Sequence, residues 1–262
     1  MQFTAPAEHY DRFMGRYTPS LAAALADVAG VEAGMRVLDV GCGPGGLTRT
    51  LVARVGDAGG VAAIDPAPQF AAACRERNPG ADVREGVAEA LPWADGAFDA
   101  VLSSLVIGFM RDPDAGVREM ARVTRPGGTV AACMWDIAGG GMTMLRVFWT
   151  AVRRIDPGVA GERRMAGTAD GDIAERFGRA GLRDVTGTTL TARADYADFD
   201  DFWEPFTFAV GPAGKYLRSL PAEHRTRVRD TCRSELPDGA FSLEARAWCA
   251  RGTVPASSGD RA

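Results

Sequence analysis

The stretch of sequence that decides the fold is Val37-Leu38-Asp39-Val40-Gly41-Cys42-Gly43-Pro44-Gly45-Gly46-Leu47-Thr48. Its apolar beginning predicts a buried strand, and its glycines predict a tight turn because glycine readily takes positive φ. Leu47, Leu51 and Val55 then recur at the spacing of a helix. The start of a helix offers unpaired N–H groups and a partial positive charge. The segment therefore predicts a site for a ligand carboxylate or phosphate.

Two acidic residues flank this turn. Asp39 lies at the end of the first strand, where it would repel a nearby pyrophosphate but accept from an ammonium group. Asp65 ends the next strand, where an acidic residue can accept both hydroxyls of a ribose. Asp65 could equally cap the helix that Pro66 begins, and the two roles are compatible. Together the carboxylates predict a ligand with an amino acid at one end and a nucleoside at the other.

The glycine spacing leaves a second interpretation open. Gly41-x-Gly43-x-x-Gly46 also matches the fingerprint of dinucleotide-binding proteins. An oxidoreductase that uses NAD(P) is therefore an alternative. It would place a pyrophosphate close to Asp39, and the chain contains no Tyr-x-x-x-Lys pair to support it, since its one lysine is Lys215.

Short apolar runs alternate with helical patterns around this segment. Strands are predicted at 36–40, 60–64, 82–84, 98–103 and 129–134. Such alternation is typical of βαβ units with a parallel sheet. The strands are almost continuously apolar, as expected when helices cover both faces of the sheet.

Composition excludes several classes of protein. The chain has 262 residues, 46% hydrophobic and 24% charged, which is typical of a globular domain. Its net charge of −4 argues against a broad nucleic-acid surface. Because no apolar run reaches about 20 residues and no secretory pattern opens the chain, we expect a cytoplasmic protein without a membrane partner. The five cysteines form no CxxC pair, so no metal site is predicted.

Further motifs add a family resemblance over residues 8–136. The 86–93 segment reads GVAEALPW, 98–101 reads FDAV and 122–128 reads RVTRPGG. With VLDVGCGPGG, these motifs resemble those of class I S-adenosylmethionine-dependent methyltransferases of the ubiquinone/menaquinone type. The resemblance implies a three-layer, Rossmann-like α/β fold with a mainly parallel seven-stranded sheet in the order 3-2-1-4-5-7-6, the last strand antiparallel.

The resemblance also implies how a single domain, 1–262, is organised. Residues 1–30 would form an N-terminal lid and 31–136 the cofactor-binding core. Segments 137–180 and 191–240 would form a substrate cap, 182–190 and 241–250 the last strands, and 252–262 a disordered tail.

The same resemblance assigns candidate residues to S-adenosylmethionine. The cofactor site would comprise Tyr10, Arg16, Tyr17, Asp39, Gly41, Cys42, Gly43, Asp65, Pro66, Val87, Ala88, Glu89, Ser103 and Ser104. The N-terminal segment could instead be a surface helix packed on the core. Val87 stands where the family often has an aspartate, so the backbone of Ala88 would contact the adenine edge while Val87 packs on the ring.

The implied activity is methyl transfer from S-adenosylmethionine to a small, hydrophobic acceptor, leaving S-adenosylhomocysteine. O-, N- and C-methylation stay open, as does a monomer or a homodimer, and no catalytic residue is identified. The family that the chain resembles often has a histidine near the place of Gly108, where this chain has no imidazole. The aromatic residues of 199–208 fit a cap core or the roof of an acceptor pocket. An alternative is a cofactor-binding protein with non-methylating chemistry, such as rearrangement or cyclisation of a natural product.

Overall fold

A computed structural model describes residues 6–162 and 164–256 of the chain. It contains a seven-stranded sheet in the order β3-β2-β1-β4-β5-β7-β6, as the sequence predicted. The strands are β1 (Arg36–Val40), β2 (Gly60–Asp65), β3 (Ala81–Glu85), β4 (Phe98–Ser104), β5 (Thr124–Trp135), β6 (Arg183–Tyr196) and β7 (Phe241–Thr253). Strands β1 to β5 pair in parallel, whereas β7 lies between β5 and β6 and runs antiparallel to both.

Ten α-helices accompany these strands within the described residues. They are α1 (Ala7–Phe13), α2 (Thr18–Ala29), α3 (Gly46–Val55), α4 (Pro68–Arg77), α5 (Pro113–Val123), α6 (Thr143–Arg153), α7 (Asp172–Arg179), α8 (Phe199–Thr207), α9 (Gly211–Ser219) and α10 (Ala222–Ser234). None of them has the length and apolar character that crossing a lipid bilayer requires. The central strands are buried because helices cover both faces, and Val37, Leu38 and Val40 are inaccessible to solvent.

The last two strands are longer than predicted. Strand β6 continues past residue 190 to Tyr196, so 191–196 belong to the sheet and not to a cap. Pairing explains the extension, since Leu190 to Tyr196 align in register with Ala247 to Phe241. Strand β7 likewise includes Gly252 and Thr253, which the sequence placed in the tail. Residues 257–262 of that tail lie outside the described part of the chain.

The aromatic residues of α8 form a core between the later helices. Phe199, Phe202, Trp203 and Phe206 are all buried. The ring of Phe206 stacks on Phe148 of α6 with centroids 4.6 Å apart. None of these five side chains lines the large cavity described below. Of the two interpretations offered for this cluster, the structure supports packing between the helices.

Helix α1 packs between the aromatic residues of α8 and helix α4 of the parallel half of the sheet. Phe13 packs edge-on against Phe206 at 5.2 Å, and His9 stacks on Phe208 at 4.2 Å. On its other side, Tyr10 contacts the ring of Phe70 from α4 at 5.5 Å. The N-terminal segment therefore lies across the carboxyl ends of the strands, where ligands of open α/β sheets bind.

Candidate cofactor and acceptor site

A cavity of about 900 Å³ opens at the carboxyl ends of β1, β2, β4 and β5. One end is formed by the glycine loop after β1, the end of β2 and the 86–89 segment. The other end is apolar and includes Met134, Ile137, Leu145 and Val210. Its position, at the point where strand order reverses beside β1, is the usual ligand site of this architecture.

The loop after β1 has a backbone conformation that favours glycine, and at Gly45 it also leaves no room for a side chain. Gly41, Gly43 and Gly45 have φ of 77°, 52° and 93°. A Cβ on Gly45 would lie 2.3 Å from Asn78 Nδ2 and 2.9 Å from Cys74 Sγ, because the loop presses against α4. A Cβ on Gly43 would meet no atom within 4 Å, and this residue lines the cavity. The loop is therefore closely packed behind Gly45 and open at Gly43.

Asp39 is a buried carboxylate beside this loop. It is 1% exposed and lines the cavity. Its Oδ2 accepts a hydrogen bond from Thr48 Oγ1 at 2.7 Å, while Oδ1 has no partner among the described residues. Burial raises the pKa of Asp39 to about 8, against the opposing effect of the Thr48 hydrogen bond. An unpaired buried acceptor of this kind fits an ammonium group or a bound water.

We expect Asp39→Asn to stabilise the protein more at pH 8 than at pH 5. A raised carboxyl pKa means that the folded state holds the proton more tightly, so the wild type loses stability as pH rises from about 4 towards 8. The gain in unfolding free energy from the substitution should grow by roughly 2–4 kcal/mol between the two pH values. Urea denaturation at pH 5 and pH 8 measures it, with the exposed Asp57→Asn as control. A gain that is equal at both pH values would contradict a buried charge at Asp39.

Asp65 connects the end of β2 to the glycine loop. Its Oδ2 accepts from the backbone N–H of Gly43 at 2.9 Å, and its Oδ1 accepts from that of Ala67 at 2.8 Å. Burial raises its pKa, and both hydrogen bonds oppose the rise. Each carboxylate oxygen keeps a further lone pair for a ligand hydroxyl. The capping and ligand-binding roles considered from the sequence are thus geometrically compatible.

The 86–89 segment forms the neighbouring wall. Val87 is 41% exposed, and among the described residues it is the one large hydrophobic side chain classed as exposed. Ala88 and Glu89 also line the cavity. The Glu89 carboxylate accepts from the backbone N–H groups of Arg111 and Asp112 at 2.7 and 3.1 Å. Glu89 therefore fastens the loop after β4, while Val87 offers an apolar surface on which a flat ring can pack.

Most of the remaining residues predicted from the sequence also reach the cavity. Those that line it are Tyr10, Gly41, Cys42, Pro66 and Ser104. The hydroxyl of Ser104 additionally contacts Cys133 Sγ at 3.7 Å.

Arg16, Tyr17 and Ser103 do not line the cavity. Arg16 pairs with Asp201 at 3.1 Å, and the hydroxyl of Tyr17 lies 2.9 Å from that of Tyr196. Ser103 donates to the carbonyl of Val40 at 3.1 Å. Arg16 and Tyr17 hold the N-terminal segment to β6 and α8, and Ser103 ties β4 to β1. In contrast to the prediction, these three residues have structural contacts and lie outside the lining of the cavity.

Sequence reasoning missed the apolar end of the cavity, including one ionisable residue there. Glu162, between α6 and α7, is 5% exposed and lines the cavity. Its Oε2 accepts from Trp149 Nε1 at 2.9 Å. Burial raises the pKa of Glu162 to about 7. No motif surrounds it in the sequence, so only the packing of α6 against this loop reveals it.

Comparison with known proteins concerns the part of the chain that forms the glycine loop and its neighbouring walls. The sequence profile of a family described as "Methyltransferase domain" matches residues 38–132. This match runs from β1 to β5 and contains the glycine loop, Asp65 and the 86–89 segment. Residues 38–132 therefore carry the sequence pattern of a methyltransferase domain. The profile favours a methyltransferase over the dinucleotide interpretation of the glycine spacing.

Named relatives agree with this assignment of the methyltransferase domain. The chain is 39% identical over 105 residues to demethylmenaquinone methyltransferase of Renibacterium salmoninarum, covering 40% of the chain and 43% of the relative. It is 33% identical over 117 residues to malonyl-[acyl-carrier protein] O-methyltransferase of Enterobacter lignolyticus, covering 45% of each. The chain thus spans less than half the length of these curated relatives.

A solved structure extends the likeness in fold beyond the methyltransferase domain. The YcgJ protein of Bacillus subtilis superimposes with a TM-score of 0.59 at 16% identity, over 90% of this chain and 99% of that one. The shared fold therefore extends well beyond the matched residues 38–132.

Proposed function

We propose that the protein transfers a methyl group from S-adenosylmethionine to a small, apolar acceptor. The observation that carries the proposal is the pair of buried carboxylates, Asp39 and Asp65, which line one cavity on either side of the glycine loop. The two acceptors match the two polar ends of this cofactor, an ammonium group and a ribose diol.

The residues fit the cofactor part by part. Asp39 Oδ1, which lacks a protein partner in the described residues, would receive the methionyl ammonium directly or through water. Asp65 would accept from the ribose hydroxyls, and Val87 would pack against the adenine ring. When bound, the sulfonium supplies an already activated methyl group, so the hard chemistry belongs to the cofactor.

The protein's contribution is then to position the acceptor and to exclude water. Side chains from α1, β5, α6 and the start of α9 enclose the far end of the cavity. The apolar residues there are Phe13, Met14, Leu105, Met134, Ile137, Leu145 and Val210. Such a surface suits an apolar molecule and aligns its nucleophile with the methyl group at short distance.

Calorimetric titration with S-adenosylmethionine, S-adenosylhomocysteine and NAD in parallel tests the cofactor. We expect micromolar binding of the first two ligands and none of NAD. Acceptors are then screened by mass spectrometry for the gain of one methyl group. Binding of NAD alone would refute the proposal.

A further inference from the structure

Glu162 stands out among the ionisable residues of the cavity because it belongs to the apolar end. It shares that end with Met134, Ile137, Leu145 and Val210 and lies outside the methyltransferase domain matched at 38–132. Neither the binding of the cofactor nor the closure of the glycine loop uses it. Burying a carboxylate lowers the stability of the fold unless the group is paired, so a functional role would explain why Glu162 is buried here.

The indole of Trp149 holds one oxygen of this carboxylate in place. Trp149 Nε1 donates to Glu162 Oε2 at 2.9 Å, so this hydrogen bond uses one of the two carboxylate oxygens. The indole is itself fixed, with its ring 5.1 Å from Phe148 and 5.5 Å from Tyr216. A Cβ on Gly161 would lie 2.9 Å from the indole ring, so the chain just before Glu162 rests on that ring. The carboxylate is thus oriented through Oε2 by a ring that is itself held in place.

The surroundings give this carboxyl the properties of a proton acceptor. Burial among apolar side chains raises its pKa to about 7, and the Trp149 hydrogen bond opposes the rise. A general base works best when its pKa lies near the working pH, because it is then both ionised and basic enough. An ordinary surface glutamate would be ionised but too weak a base.

We propose that Glu162 is the general base of the methyl transfer, and that the acceptor is an apolar molecule with a weakly acidic hydroxyl, a phenol or an enol. This inference rests on the proposed function. The acceptor oxygen forms its bond to the methyl carbon while the carbon–sulfur bond breaks and its electron pair stays on sulfur. The hydroxyl proton passes to Oε1 of Glu162. Trp149 is a positioning residue, because it acts through the carboxylate that it holds.

A pair of acceptors that differ in acidity distinguishes a base from a merely structural residue. The probes are 1-naphthol, 4-nitro-1-naphthol, whose hydroxyl is far more acidic and ionised at neutral pH, and 1-naphthylamine. We expect Glu162→Gln to lower kcat on 1-naphthol by about 10²- to 10⁴-fold. On 4-nitro-1-naphthol, where no proton has to be removed, the loss should stay below about tenfold.

Further variants control for folding and position. Glu162→Gln is nearly isosteric and can still accept from Trp149, so its affinity for S-adenosylmethionine by calorimetry should equal that of the wild type. Glu162→Asp should retain part of the activity on 1-naphthol. Trp149→Phe should slow 1-naphthol more than its nitro analogue. Glu235→Gln, an exposed carboxylate paired with Arg154, is the matched control and should change neither rate.

Three results would overturn the inference while leaving the proposed function intact. They are an equal loss on both naphthols, methylation of 1-naphthylamine alone, and no methylation of either naphthol by wild-type protein that binds S-adenosylmethionine. Absence of cofactor binding in the wild type would instead refute the proposed function itself.

Discussion

Asp65→Ala is expected to weaken binding of S-adenosylmethionine by at least about 100-fold. The substitution removes a charged acceptor for two ribose hydroxyls, and hydrogen bonds to charged groups contribute about 1.5–3 kcal/mol each. It also leaves the N–H groups of Gly43 and Ala67 without their carboxylate partner. Calorimetry on the purified variant measures the affinity.

Two controls separate lost ligand contacts from a disturbed loop. Asp57→Ala, at an exposed turn before β2, should leave the affinity unchanged. Asp65→Asn keeps one carbonyl acceptor and should show an intermediate loss. Wild-type affinity in an Asp65→Ala variant that keeps its circular dichroism and unfolding transition would remove Asp65 from the cofactor site.

Gly45→Ala is expected to destabilise the fold by roughly 2–5 kcal/mol. A non-glycine residue at φ of 93° costs about 1–2 kcal/mol. The added methyl group would also lie too close to Asn78 and Cys74, and overpacking typically costs about 1–3 kcal/mol. Urea denaturation measures the loss of unfolding free energy.

Neighbouring glycines provide the comparison. Gly30, which ends α2 at φ of 66°, has open space around its Cβ position, so Gly30→Ala should cost only about 1 kcal/mol. Gly43→Ala should cost about as much in stability but reduce the affinity for S-adenosylmethionine, because its methyl group would enter the cavity. If Gly45→Ala cost no more than Gly30→Ala, the close packing of the loop on α4 would be disproved.

The sequence predicted the parallel half of the sheet and the glycine loop after β1 well, because both depend on local patterns. Buried parallel strands are short apolar runs, and the loop after β1 needs glycine wherever φ is positive. The extension of β6 to Tyr196 could also have been predicted, because residues 190–196 alternate apolar and polar as a half-exposed strand does. The aromatic run that follows drew these residues into the predicted cap.

Other features could not be predicted because they depend on contacts between distant residues. Tyr17 meets Tyr196, and Arg16 meets Asp201, across nearly the whole length of the chain. Because they lie close to Tyr10 in the sequence, Arg16 and Tyr17 were also predicted to contact the cofactor. The position of the Glu162 side chain depends on its hydrogen bond to Trp149 and on the packing of Gly161 against the indole ring. No regular spacing in the sequence connects these residues.

The position of β7 between β5 and β6 sets an order for biosynthesis. Until residues 241–253 have left the ribosome, one edge of β5 has no partner, although its residues 130–133 are apolar and fully buried in the finished sheet. Unpaired apolar edges invite association with other chains. Strand β5 also carries Met134 and Trp135 of the cavity, and β7 pairs directly with both residues. We therefore expect the exposed edge of β5 in the nascent chain to need protection until synthesis reaches Thr253.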